Sequence, residues 1–334
     1  MKAAVLYGPR DLRVEPAPDP APGAGEALVR VRAAGLCGTD YRIWSGDRVV
    51  RYPLIMGHEF VGEVAAVGES VTHVRRGDRV AVEPNYSCGT CPLCLEGNRN
   101  LCAQRTAVGI DVSGGFAQLA RVPARCCWPA PSGLSPEQLL LTEPLAVVVR
   151  AVTRGEVKPD MTAAVLGVGT LGLLALQVLR ARGARVLAVG RTERRLTLAR
   201  QLGAEAVHAL ASGPGSEAAR AFCNREGVDV VVETAGTPEA VSEAIELVRP
   251  GGRVVLTGLP HEPSRVNFFS VVRRELTLIG SMIYQDEFPE AMRLLRDGVV
   301  IPGPLVTHRF PLDAVQEAFA AHRQPDSIKV AVIP

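Results

Sequence analysis

The chain has 334 residues, 47% of them hydrophobic, and its 37 basic and 35 acidic side chains leave a net charge of +2. That balance leaves no electrostatic footprint for nucleic acid or an anionic membrane, and no apolar run is long enough to cross a bilayer. The length suggests two domains. The N-terminus meets Gly8-Pro9-Arg10-Asp11 too early for a secretory signal, which predicts a cytoplasmic protein with reduced thiols.

The first part of the chain reads as short strands, at 27–31, 62–68 and 78–82, with Pro16, Pro18, Pro20 and Pro22 marking an extended connector. Cys88, Cys91, Cys94 and Cys102 follow as a CxxCxxC triplet with a nearby fourth thiol. Zn²⁺ takes four soft ligands in a tetrahedron, and a short segment can wrap four thiolates around it. Asn85, Ser87, Gly89, Pro92, Gly97 and Asn98 predict a loop here, without helix or strand. So polar a lobe needs something other than a core to hold its shape. A disulfide pair is the competing reading, which a reducing compartment disfavours; an iron–sulfur cluster usually has other spacings. Ser135-Pro136-Glu137-Gln138 predicts a helix start with a capping box.

After about residue 147 strands alternate with helices. Strands are expected at 163–166, 185–189, 228–232 and 253–256, with helices at 171–182, 193–202 and 238–248. Continuous Val and Leu runs fit strands of a parallel sheet buried on both faces. Gly167-Val168-Gly169-Thr170-Leu171-Gly172 follows the first of these strands and opens the first helix. In that context a GxGxxG brings the pyrophosphate of a dinucleotide onto the N–H groups of a helix N-terminus. An NAD site places Asp or Glu at the end of the next strand. Here Gly190 stands in that place, followed by Arg191 and, one turn on, Arg195. No carboxylate repels the 2′-phosphate of NADP, and both guanidiniums can pair with it. NADP is therefore expected over NAD; the competing reading makes these arginines a solvated helix start.

Cys37-Gly38-Thr39-Asp40 and Gly57-His58-Glu59 frame a second constellation, with Cys37 and His58 as candidate zinc ligands and Asp40 or Glu59 behind them. These two segments, the cysteine lobe and the glycine loop come in one order across nearly the whole chain. The sequence resembles the zinc-dependent alcohol dehydrogenases of the medium-chain dehydrogenase/reductase superfamily. Thr142-Glu143-Pro144-Leu145 resembles the Glu-Pro segment of its polyol (sorbitol) and threonine dehydrogenase branch. The resemblance implies an α/β architecture: a GroES-like, mostly β catalytic domain over 1–146 and 287–334, its zinc lobe at about 85–105, and a Rossmann domain, a doubly wound parallel sheet, over 147–286.

It also implies two Zn²⁺ per subunit. One is catalytic, on Cys37, His58 and Glu143, with Glu59 a neighbour able to exchange onto the metal; the other is structural, on Cys88, Cys91, Cys94 and Cys102. Thr39 would take the alcohol's proton while the nicotinamide takes hydride. Thr234, Leu259, Ser281 and Met282 are implied as further cofactor contacts, the last two near the nicotinamide amide. The implied substrate is a secondary alcohol or its ketone, of polyol, sugar or hydroxy-acid type, and the implied assembly a homodimer or homotetramer. Arg42 and Arg150 depart from the family, standing where histidines are usual, and Ile283-Tyr284 keeps only the tyrosine of the Arg-Tyr pair common in sorbitol dehydrogenases. Cys126, Cys127 and Cys223 are expected to pack. The alternatives are an NAD-dependent threonine or sorbitol dehydrogenase, a zinc lyase, and a non-enzymatic zinc-lobe binding module.

Overall fold

A computed structural model describes all 334 residues. The chain divides into two compact units, one of Met1–Glu143, Ala291–Arg296 and Pro302–Pro334, the other of Pro144–Glu290 and Asp297–Ile301. No helix is long and apolar enough to cross a membrane.

The first unit is built on the strand Glu26–Leu36. Ala27, Val29, Val31 and Ala33 are buried while Arg30 and Arg32 reach solvent, the period of two that half-buried strands show. This strand pairs antiparallel with Glu59–Val67, Leu119–Pro123 and the last strand of the chain, Lys329–Ile333. Arg79–Val82, Cys127–Pro129 and Val306–Pro311 complete a seven-stranded sheet. Lys2–Gly8, Asp11–Pro16 and Leu54–Ile55 form a smaller one. Leu36, Ile43, Met56, Phe60, Phe116 and Phe319 belong to one core cluster.

The cysteine lobe is not the plain loop that its composition predicts. Pro92–Leu95 makes one helical turn, Arg99–Leu101 a tighter one, and Asn85–Tyr86 pairs with Thr106–Ala107. Proline lacks an N–H that the first helical position leaves unbonded anyway, so Pro92 starts the turn, and Leu95 N donates to Cys91 O at 3.0 Å.

The second unit holds a six-stranded, all-parallel sheet. Its order is Ala206–Ala209, Arg185–Gly190, Thr162–Leu166, Val228–Glu233, Val248–Leu256, Thr277–Gly280. The first strand in sequence lies inside the sheet, with the next two to one side and the last three to the other; this is the doubly wound Rossmann order. Thr162–Leu166 and Val228–Glu233 are buried along their whole length, as strands covered on both faces are. Val248–Leu256 starts earlier than the sequence suggests. It runs through Pro250-Gly251-Gly252 with an irregularity between the pairs Val228/Val248 and Val230/Arg253.

A buried carboxylate ties three of these strands together at their starts. Asp229 Oδ2 accepts from Thr162 N at 2.8 Å and Thr162 Oγ1 at 2.9 Å, and also from Arg225, while Oδ1 accepts from Arg249 Nε at 2.8 Å. Burial alone would push this carboxyl up; the Thr162 N–H, Arg249, the Thr162 hydroxyl and Arg225 outweigh it and hold the pKa down at about 2, against 3.8 when free. A depressed pKa stabilises the fold above the free value and ceases to do so as pH falls through the folded one. Asp229→Asn is expected to lower the melting midpoint at pH 7. The gap to wild type should close between about pH 4 and pH 2. A gap that stays constant across pH-dependent melting curves would count against the clasp.

Candidate active site and metal centres

The four lobe cysteines are free thiols gathered around one point. Sγ of Cys88 lies 3.9 Å from that of Cys94 and 3.6 Å from that of Cys102, and Cys91 lies 3.8 Å from Cys102. A tetrahedron with zinc–sulfur arms of about 2.3 Å has edges of about 3.8 Å. The spacing is therefore that of a four-thiolate zinc cage and far too long for disulfides. The backbone N–H groups of Thr90 and Cys91 pull the Cys88 thiol down to about 6, so it is ready to ligate as thiolate. Cys126 and Cys127 show the opposite: burial pushes both up, Cys127 to about 12, which leaves them as inert packing groups.

The second cluster forms at a strand-to-helix corner. Leu36 ends the central strand and Cys37 is the N-cap of the helix Gly38–Ser45. Gly35 is the register partner of Glu59, which brings His58 and Glu59 beside Cys37. One ligand atom from each of Cys37, His58 and Glu59 lies within 4.8 Å of the others. Asp40 is fully buried and turns back on both sides of the corner: Oδ2 accepts from Cys37 N at 2.9 Å, and Oδ1 lies 3.3 Å from His58 Nδ1. That leaves Nε2 as the nitrogen for a metal. Burial would lower the His58 pKa, but Asp40 and Cys37 outweigh it and raise it well above the usual value. An anionic field that holds a proton on a buried imidazole attracts a dication equally well, and the donor set of sulfur, imidazole and carboxylate suits zinc.

Glu143 stands outside the 4.8 Å set. It lies in the first turn of the helix Thr142–Arg154 and is 8% exposed. Lys329 is the residue that sequence reasoning missed. Its Nζ donates to Glu59 Oε2 at 2.5 Å and to Leu36 O at 3.3 Å, with both side chains of the pair buried. Burial opposes its charge, yet Glu59, Cys37 and Glu143 together raise its pKa. A signal was present: Lys329 is one of three lysines in the chain and sits in an otherwise apolar strand. Thr39 is half-buried in the first turn of the corner helix.

The residues proposed for a dinucleotide lie along one edge of the second unit's sheet. Leu166 pairs with Val189 and Glu233, Glu233 with Leu256, and Leu256 with Gly280. Gly167, Gly190, Thr234, Leu259, Ser281 and Met282 therefore all sit at or just past the carboxyl ends of neighbouring strands, where open α/β sheets bind ligands. The glycine loop fits a pyrophosphate. Gly167 has φ of 96°, a Cβ on Gly172 would sit 1.7 Å from Gly167 O, and Gly169 faces open space at the start of the helix Thr170–Ala181, which includes Leu171. Thr234 Oγ1 donates to Gly167 O at 2.8 Å and braces this loop. Arg191 is exposed and Arg195 half-buried, while Leu259 is exposed and Ser281 buried.

The comparisons with known proteins fall on these two regions. The alcohol dehydrogenase GroES-like domain family matches residues 23–132 and the zinc-binding dehydrogenase family residues 170–297. Sorbitol dehydrogenase of Bacillus subtilis (strain 168) is 35% identical over 345 residues, which cover 100% of this chain and 97% of that one. The chain belongs to the zinc-dependent medium-chain dehydrogenases, in their polyol and threonine dehydrogenase branch. A zinc-binding dehydrogenase from Sinorhizobium meliloti 1021 bound to NADP superposes with a TM-score of 0.96 at 34% identity, covering 100% of this chain and 99% of that one. An alcohol dehydrogenase from Escherichia coli CFT073 complexed with NADH gives 0.94 at 32%, with the same coverage.

Within this dehydrogenase, Arg150, one of the positions that depart from the family, has a structural occupation. Arg150 Nη1 donates to Gln285 Oε1 at 2.8 Å and pairs with Glu287 at 3.3 Å. Tyr284 is buried edge-on against Phe288 with ring centroids 5.0 Å apart. Phe116 is likewise in the core, and Tyr41 and Trp44 pack against it. Cys94→Ser is expected to remove one zinc per chain and to lower the melting midpoint, because the lobe has no core of its own. Metal analysis with a thermal melt on the same preparation reads both; an unchanged melting curve would undo the structural role.

Proposed function

We propose that the chain is a zinc-dependent dehydrogenase that transfers hydride between NADP(H) and a secondary alcohol or ketone of polyol, sugar or hydroxy-acid type. One observation carries the reading: a thiol, an imidazole and a carboxylate converge within 4.8 Å in a chain that also presents an open glycine loop at a helix N-terminus. Bound zinc supplies Lewis acidity and bound nicotinamide accepts the hydride. Cys37, His58 and Glu143 hold the catalytic ion. Lys329 already engages Glu59 Oε2, which gives Glu143 the standing ligand role and Glu59 the exchanging one. Asp40 orients His58 and fixes its tautomer through Nδ1. Thr39 Oγ takes the proton of the substrate hydroxyl and passes it on. Cys88, Cys91, Cys94 and Cys102 hold a second, structural zinc.

On the cofactor side, Gly167, Gly169, Thr170, Leu171 and Gly172 bind the pyrophosphate, and Ser281 and Met282 lie toward the nicotinamide. One similar structure carries NADP and another NADH, so family membership does not choose between them. The choice of NADP rests on Gly190, on exposed Arg191 and on Arg195. A homo-oligomer belongs to the same reading. Its support is the open edge of Thr277–Gly280 beside Phe268, Phe269 and Val272, which are 66–76% exposed.

The test is an NADP-reduction screen over alcohols, polyols, sugars and hydroxy acids on wild type and Cys37→Ser. Cys37→Ser should fall to background turnover while still binding NADPH; retained turnover would refute catalytic zinc at that corner. Arg191→Ala is expected to raise KM for NADP about tenfold or more, the worth of a charge-assisted hydrogen bond, and to leave KM for NAD nearly unchanged. Equal changes for the two cofactors would remove the 2′-phosphate argument.

A further inference from the structure

We infer that Arg150 is a positioning residue for the nicotinamide end of the cofactor: with Gln285 and Glu287 it clasps a strained turn at Ile283, and so fixes Ser281 and Met282. The inference rests on the dinucleotide reading above and deepens it. The turn follows Thr277–Gly280, the last strand of the parallel sheet, which pairs Gly280 with Leu256. Ser281 N donates to Leu256 O at 2.9 Å, so the chain is still held to the sheet at that residue. Two residues on, the backbone changes hand. Ile283 has φ of 43°, and of the seven non-glycine residues with positive φ it alone is β-branched. In this region Cβ crowds the following carbonyl oxygen, so a branched residue is strained and stays only where its surroundings hold it.

Three contacts hold the turn from its far side. Tyr284 is 2% exposed and packs edge-on against Phe288. Glu287 Oε2 accepts from Gln285 N at 2.5 Å and from Asp286 N at 3.0 Å, which closes the chain just ahead of the helix Phe288–Arg296. Arg150 reaches in from the helix Thr142–Arg154: its Nη1 donates to Gln285 Oε1 at 2.8 Å and to Glu287 Oε1 at 3.3 Å. The side chains of Arg150 and Glu287 are only 12% and 16% exposed, so solvent screens the pair little.

The clasp offsets the strain. One guanidinium ties the side chain of Gln285 to the carboxylate that already binds the backbone of Gln285 and Asp286. Without it, Ile283 relaxes toward negative φ, and the rotation redirects Met282 and the chain back to Ser281. The glycine loop and Arg191, which serve the other half of the dinucleotide, stay as they are. Hydride transfer needs a fixed ring, and a misplacement of about 1 Å can cost about a hundredfold in rate. Arg150 therefore acts on the nicotinamide through Gln285, Glu287 and the turn.

The test is a double-mutant cycle on the full-length, zinc-loaded protein: wild type, Arg150→Ala, Ile283→Gly and the double variant. Fluorescence titration reads Kd for NADPH, and competition against NADPH reads Kd for 2′-phospho-ADP-ribose, the same molecule without its nicotinamide. Arg150→Ala is expected to weaken NADPH about fivefold or more, the worth of the strain released, and to change the fragment by less than about twofold. A merely structural role would weaken the two alike. In the Ile283→Gly background the loss of NADPH affinity caused by Arg150→Ala should shrink to about twofold, because glycine holds positive φ without a clasp. Arg150→Lys repeats the cycle in case the alanine variant does not fold; it keeps the charge but ends short of Nη1, and a smaller loss of the same pattern is expected. No loss, equal losses for NADPH and the fragment, or a loss that Ile283→Gly leaves undiminished overturns the assignment to Arg150. Wild type binding neither NADPH nor the fragment overturns the cofactor reading itself, and this inference with it.

Discussion

Buried carboxylates gathered around a single buried ammonium set the terms for the first unit. Asp40, Glu59 and Glu143 are all under 10% exposed, and Lys329 is the only buried lysine or arginine in the chain. Each buried ion costs several kcal/mol unless it is paired and hydrogen-bonded. Lys329 is the one buried ammonium near these carboxyl groups and the Cys37 thiol, and Cys37, His58 and Glu59 converge within 4.8 Å beside it, a donor set whose chemistry suits a dication. The same burial explains why Asp40 turns onto both Cys37 N and His58: each contact spreads its charge over a donor.

The cysteine lobe poses a different problem. Its segments are one helical turn, one tighter turn and a two-residue strand pair, none of which buries enough surface to persist alone. The sulfurs hold tetrahedral spacing because the turn at Pro92 carries Cys91 and Cys94 on one side, and the next turn returns Cys102 to them. In lobes of this size metal binding and local folding are coupled. At the Cys37 corner, by contrast, a sheet and a helix position the donors.

Local patterns were legible in the sequence, and patterns set by sheet register were not. The thiol quartet and the glycine loop each lie within a short stretch, so residue spacing alone carries their chemistry. The alternation in 27–31 and the Val/Leu runs after 163 likewise announced their strands, because burial on one face or two writes a period into the chain. Lys329 and Glu59 are separated by 270 residues and meet only because the final strand joins the sheet of the first unit. The missing acid at 190 was visible; that Val168 lies against Gly190 was not, since the two meet only through parallel pairing of two strands. At 85–105 composition misled: Pro and Gly read as a loop, yet Pro92 begins a helical turn.

Two strand glycines then share one explanation. Neither Gly35 nor Gly190 has a φ in the left-handed region, so conformational freedom accounts for neither. A Cβ on Gly35 would lie 2.3 Å from Glu59 Oε2, and a Cβ on Gly190 would lie 2.4 Å from Val168 Cγ2. In the first unit the absent methyl gives Glu59 the room to seat its carboxylate against Lys329 while it stays within 4.8 Å of the Cys37 and His58 ligand atoms. In the second it gives the glycine loop the room to seat Val168 against the strand that ends in Gly190. At Gly35 and Gly190 a neighbour's side chain has taken the place of a Cβ, and at these two positions that neighbour stands beside the chemistry: one is a carboxylate of the candidate metal corner, the other a wall of the cofactor loop.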